Sequence, residues 1–175
     1  HGFVKSKAVD EVYRNAFGEL LIEDQPIPFF AVSCNLTTGN QFLFEHGPVW
    51  KAVRASTSIP VFFEPFMAGR QVMVDGALLN NVPVDCMRAK GARKILTVDV
   101  GLEEDITAHM IDDSNVQMPT MMKSLIRVIE LGGIEKSRQA RVISDLYVQP
   151  SIENIGLMEF ERREEIIALG YEAGL

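Results

Sequence analysis

Hydrophobic positions along this chain change period several times, and the changes mark out its elements. Val9, Val12, Phe17 and Leu20-Leu21 recur at helical spacing among charges, which predicts an amphipathic helix from about Lys7 to Phe17. Pro26 and Pro28 bar a helix, so Phe29 to Leu36 reads as a mostly buried strand. A turn cluster, Thr37-Thr38-Gly39-Asn40, leads into Gln41 to Glu45 with alternating Phe42 and Phe44, and together they make a hairpin. Pro48 is placed to start a helix through Val49 to Ala55. An irregular apolar passage, Val61-Phe62-Phe63, lies between Pro60 and Pro65, and a second hairpin is predicted around Ala68-Gly69-Arg70 with Gln71 to Val74 as its return strand.

Beyond Asp75-Gly76, the segment Asn80-Asn81-Val82-Pro83 has the form of a helix entrance, with an Asn to cap and a Pro in the first turn. That helix runs to about Lys90 and stops at Gly91. Ile95 to Val100 is continuously apolar apart from Thr97 and Asp99, and is the clearest strand in the sequence. Strand, helix and buried strand joined by short connections are the grammar of an α/β sheet. Glu103 to Asn115 reads as an acidic exposed loop. From about Thr120 to Ser144 a long helix carries Met121/Met122, Leu125, Ile129 and Ile134 on one stripe, with a kink possible at Gly132-Gly133. Such a Met-rich stripe usually belongs to a core, and lining of an apolar pocket is its other use. Leu146 to Gln149 forms a last short strand and Glu159 to Leu169 a last amphipathic helix.

Composition narrows the functional classes. At 175 residues, 47% hydrophobic and 23% charged, the chain has the makings of one globular domain with a real core. A net charge of −7 argues against nucleic acid as the main partner, because the basic clusters Arg88 to Lys94 and Lys136 to Arg141 are interleaved with apolar and acidic residues. Cys34 and Cys86 have no metal or disulfide spacing and sit among apolar residues, so they read as buried thiols in a reducing compartment. No apolar run approaches the roughly 20 residues that span a bilayer. His1, His46 and His109 have no ligand spacing with one another or with either Cys, so no metal is expected, and no sequence feature implies a cofactor.

Asp75 is the residue that raises a question of chemistry. Asp-Gly is a favoured pair for a type I′ hairpin turn, and that is the plain reading of the dipeptide. Its neighbours favour another. An apolar strand precedes it, and sites in α/β proteins lie beyond the carboxyl ends of strands. Two consecutive Asn follow. The apolar passage Ile59-Pro60-Val61-Phe62-Phe63 could supply a hydrophobic wall, which raises a carboxyl's proton affinity toward that of a useful base.

Arg54-Ala55-Ser56-Thr57-Ser58-Ile59-Pro60, Phe63-Glu64-Pro65, Val74-Asp75-Gly76-Ala77 and Asn81-Val82-Pro83-Val84, in that order, resemble the C-terminal half of a patatin-like phospholipase domain. Pro28 to Gly39, with Thr38-Gly39 and the later Phe44-x-x-Gly47, is similar to the strand and turn that come before, and Gly170 to Ala173 resembles the last helix. The resemblance implies a three-layer α/β/α sheet, present here as the C-terminal portion of a single domain over 1–175. It implies a Ser–Asp dyad that hydrolyses lipid esters, with Asp75 accepting the serine proton directly and Gly76 and Ala77 supporting it. Asn35 stands where the family often has Asp. The larger departure is that no Gly-x-Ser-x-Gly elbow and no Gly-rich oxyanion segment is present: Ser56 and Ser58 lack the flanking glycines, so no nucleophile is assigned in this chain.

The function implied is that of part of a phospholipase A or lysophospholipase, with a phospholipid or other lipid ester as substrate and a cytoplasmic or peripheral membrane location. A non-catalytic lipid-binding or protein-interaction module of the same fold is the competing reading, and a complete but diverged small α/β domain is a third. A truncated sheet would expose an open edge, so self-association is a further expectation. Alone, the chain is expected to leave p-nitrophenyl butyrate unhydrolysed. Turnover that Asp75→Ala abolishes would overturn this.

Overall fold

The computed structural model describes residues 6–101, 111–112, 115–116, 121–152, 155 and 159–175. Helices and strands are interspersed along the chain, an α/β protein as the sequence predicts, and they gather into two compact units, His1–Asn80 and Asn81–Leu175.

The first unit opens with α1 (Ser6–Phe17), then β1 (Ala31–Asn35), β2 (Asn40–Phe44) and α2 (Val49–Ser56). It continues with β3 (Phe66–Ala68), β4 (Gln71–Asp75) and the one-turn α3 (Ala77–Asn80). The strands form a single antiparallel sheet in the order β2-β1-β4-β3. Both predicted hairpins are present, β1 to β2 and β3 to β4. β1 is buried along its whole length, as a central strand with covered faces must be. Ile22, Ala31, Val49 and Ala52 make the core beneath α2, with Phe17, Phe44 and Val53 packed on it. On α1, Arg14 lies 4.2 Å from the centre of the Trp50 ring, and the Tyr13 hydroxyl meets Thr57 Oγ1 at 2.8 Å. Asn35 Oδ1 accepts the Thr37 N–H at 3.0 Å, so the amide supplies the acceptor that an Asp would offer at this strand end.

The second unit contains α4 (Val84–Ala89), β5 (Leu96–Val98), α5 (Met121–Ile143), β8 (Leu146–Val148) and α6 (Arg163–Ala173), the last preceded by a 3₁₀ turn at Phe160–Arg162. Two-residue strands β6 (Ile111–Asp112) and β7 (Asn115–Val116) pair with each other, and the rest of the expected acidic loop Glu103 to Asn115 lies outside the described residues. β5 and β8 pair in parallel. Val82, Val84, Ile95 and Ala140 form the core here.

Two expectations for this region need correction, the cap of α4 and the Met-rich stripe of α5. No Asn caps α4: Pro83 occupies the cap without a side-chain bond, and Asn80 is instead buried in the first unit, where its Nδ2 donates to Gln41 Oε1 at 2.8 Å. The helix does end as predicted, with Gly91 at φ +89, where a Cβ would be strained. β5 is turned the opposite way from its hydrophobicity, because Leu96 and Val98 are exposed while Thr97 and Asp99 are buried. Hydrogen bonds make the polar face tolerable: Thr97 Oγ1 lies 2.6 Å from Ser144 Oγ, and Asp99 Oδ2 accepts the Tyr147 hydroxyl at 2.6 Å. Burial and the Asp99 carboxylate together push the Tyr147 hydroxyl up to about 12. On α5, Met121 and Leu125 are exposed, whereas Gly133 and Ala140 are buried. The helix runs unbroken through Gly132-Gly133, and a Cβ on Gly133 would stand 3.3 Å from Asn81 Cβ. It packs through small residues, which permit close approach where the Met-rich stripe would not.

Met73 in β4 is fully buried. Met73→Ala is expected to cost about 2–5 kcal/mol by leaving a cavity. A lowered denaturant midpoint at unchanged slope would be the sign of it.

Candidate active site

Asp75 is the last residue of β4, level with Ser33 on β1. The Asp-Gly pair does not turn a hairpin. β4 runs through Gly76 straight into α3, whose first residue, Ala77, donates its N–H to Asp75 Oδ1 at 2.8 Å. Asp75 thus caps the turn that follows it. The main chain around it is held on both sides. Its N–H donates to Ser58 O at 3.0 Å, and the buried Ser33 hydroxyl donates to Val74 O at 2.6 Å. Gly76 is required sterically: a Cβ there would lie 2.7 Å from the carbonyl carbon of Val32 and closer still to its oxygen.

The other carboxyl oxygen, Oδ2, has no hydrogen-bond partner among the described residues. The side chain is half-buried, and burial pushes its carboxyl above the ordinary aspartate range, with the Ala77 N–H pulling part of the way back. No cation contributes. A carboxylate with one oxygen anchored, one unengaged and a raised proton affinity has the features of a general base.

The two serines near this site serve other ends. Ser56 closes α2, and Ser58 is fully buried, its hydroxyl donating to Arg54 O at 2.7 Å. The apolar passage Ile59 to Phe63 leaves from Ser58 half-buried, with Val61 at φ +77, a left-handed conformation that a β-branched residue rarely adopts. An apolar cavity of this unit is lined by other residues. It measures about 480 Å³ and is walled by Phe17, Leu20, Pro28, Phe29 and Val53, with Gln25 as its polar side chain. Cys34 and Cys86 are buried and unbridged, and burial pushes the Cys34 thiol up. Among the described residues no cluster of His, Cys, Asp and Glu is gathered for a metal, and no helix is long and apolar enough to cross a membrane.

Sequence reasoning missed Ser33, Arg54 and the backbone role of Ser58. Arg54 did leave a signal: it falls four residues after Trp50 on the buried face of α2, where a charge is costly unless paired.

Residues 1–87 match the patatin-like phospholipase family, and the chain belongs to it. It is 29% identical, over 93% of its length, to an uncharacterised NTE family protein of Mycobacterium tuberculosis, covering 30% of that protein. It is 30% identical, over 91% of its length, to lysophospholipase NTE1 of Candida glabrata, covering 10% of it. A patatin-like phospholipase domain-containing protein of Caenorhabditis elegans is also 30% identical over 92% of the chain, which spans 13% of that relative.

The raised proton affinity of Asp75 has a stability consequence. The folded state holds this proton to higher pH than the unfolded chain does, so stability falls as pH rises from the unfolded value, about 3.9, through the folded one. Asp75→Asn keeps the cap oxygen without the charge. It is expected to raise the thermal midpoint at pH 7, with the gain fading as pH drops toward about 4. Equal midpoints at pH 7 would contradict this.

Proposed function

We propose that this chain supplies the general base of a serine lipid acyl hydrolase of lysophospholipase or phospholipase A type. The observation that carries the reading is Asp75 itself, with Oδ1 fixed by Ala77 and Oδ2 unengaged in a half-buried position. The names of the relatives support a lipid ester as substrate. The apolar cavity near the start of β1 suits a hydrocarbon chain, since its one polar side chain, Gln25, is already bonded to Leu21 O at 2.7 Å.

In this reading the chain is the C-terminal portion of a patatin-like domain, and the nucleophilic serine and its oxyanion donors belong to a segment that precedes it. The serine Oγ attacks the ester carbonyl carbon while its proton passes to Asp75 Oδ2. Collapse of the tetrahedral intermediate breaks the ester C–O bond, and the same proton leaves with the alcohol. A water molecule then attacks the acyl-serine, giving its proton to Asp75, which returns it to the serine as the fatty acid departs. A single carboxylate suffices for both half-reactions because it is regenerated in each. A lipid substrate puts the protein at a membrane surface, and the unbridged thiols favour the cytoplasmic side.

In the full-length protein, Asp75→Asn is expected to lower kcat/KM on lysophosphatidylcholine by about 100-fold or more and to suppress fluorophosphonate labelling. Full activity in that variant would sink the reading. Vesicle binding by the wild type with neither labelling nor turnover would establish a lipid-binding module instead.

A further inference from the structure

We infer that Arg54 is a positioning residue for Asp75, acting through Ser58. The inference rests on the reading of Asp75 as the base. Arg54 sits in the last turn of α2 and is 1% exposed, so its guanidinium must find its partners inside the protein. Nε donates to Asp10 Oδ1 at 3.0 Å, Nη1 to Ser58 Oγ, and Nη2 to Glu64 O at 2.9 Å, with Ser6 Oγ farther off at 3.5 Å. The fork therefore ties three pieces of chain together: α1, the exit of α2 and the approach to β3.

Ser58 receives this bond and passes it on. Its hydroxyl donates to the main-chain carbonyl of Arg54, so the serine is bonded to both the side chain and the backbone of Arg54, which fixes the chain where it leaves α2. Its carbonyl then accepts the Asp75 N–H. That contact falls where the sheet has run out. β3 pairs with β4 only as far as Met73, so beyond it the β3 side of β4 has no neighbouring strand among the described residues, and Ser58 O takes the place of a ladder partner. The direction of the Asp75 carboxyl consequently depends on where Ser58 is held.

The segment between the two anchors supports the same assignment. Arg54 bonds both Ser58 and Glu64, the ends of a loop that contains Val61 at φ +77. Such a conformation persists only where the surroundings enforce it. Glu64 is itself pinned, its Oε2 accepting both the hydroxyl and the N–H of Ser6 at 2.6 and 3.0 Å. Arg54 thus orders the backbone beside the base while its positive charge is spent on other acceptors. An arginine that paired with Asp75 directly would hold it in place and also weaken it as a base.

The test uses the full-length protein with lysophosphatidylcholine. Ser58→Ala and Arg54→Lys are each expected to lower kcat about tenfold to a hundredfold with KM within about twofold, the scale expected for a reacting group displaced by about 1 Å. The double variant is expected to fall no further than the worse single one, because both act along one path. In this chain alone, Ser58→Ala is expected to speed exchange of the Asp75 amide hydrogen. A folded Ser58→Ala protein with kcat within twofold of wild type overturns the inference, and so does a double variant whose loss is the product of the two single losses. If Arg54→Lys fails to fold, Ser58→Ala and the amide exchange decide. Asp75→Asn in the same assay separates the two readings: full kcat there removes the base, whereas loss there with Ser58→Ala unaffected removes only the positioning role.

Discussion

A buried guanidinium is the constraint on which much of the first unit depends. Removing a charge from water costs several kcal/mol unless every polar atom is satisfied, so Arg54 dictates where its acceptors stand. Those acceptors are an α1 carboxylate, a serine hydroxyl and a main-chain carbonyl. Two of the three belong to irregular backbone that no ladder would otherwise fix. The arrangement stabilises less than its number of bonds suggests, since desolvation offsets much of the attraction. Its effect lies in specificity, because one geometry satisfies the fork and neighbouring ones leave a buried charge unpaired.

Asp75 shows the opposite economy. It is clamped through main-chain atoms and one carboxyl oxygen, and no cation relieves the burial of its charge. A carboxylate kept in such a place lowers the stability of the fold that holds it, and its affinity for a proton rises. The two charges differ accordingly: the one that is fully paired ties down the backbone around it, and the other is left poorly solvated.

How far this was legible in the sequence depended on what decided each feature. The hairpins of the first unit were readable because turn residues and alternation are local, as at Gly39 and Gly69. The Asp75-Gly76 dipeptide on its own suggests a hairpin turn, and it is the ordered motifs around it that single out Asp75; the structure shows the pair leading from β4 into α3 instead. Ser58 was not readable, because it holds Asp75 through its main-chain carbonyl, an acceptor that any residue offers, and Ser33 was not, because its hydroxyl bonds Val74 O across a strand pairing that the sequence does not spell out. In the second unit the longer elements were found, the short pair β6 and β7 was read as loop, and the Met-rich stripe of α5 was faced wrongly. Hydrophobicity alone points Leu96 and Val98 inward and Met121 onto the core. The structure buries Thr97 and Asp99 instead, because Ser144 and Tyr147 satisfy them, and it buries Gly133 and Ala140 because small residues let α5 approach closely.

The contact between Gly76 and Val32 has a consequence for reading relatives of this chain. The glycine is demanded by the passage of one backbone beside another, a requirement that holds whether or not a proton is ever transferred at Asp75. A relative that carried another residue in place of the aspartate would still have to keep the glycine. Retention of the glycine in a relative therefore speaks for the architecture alone, and is silent on whether the position before it does any chemistry.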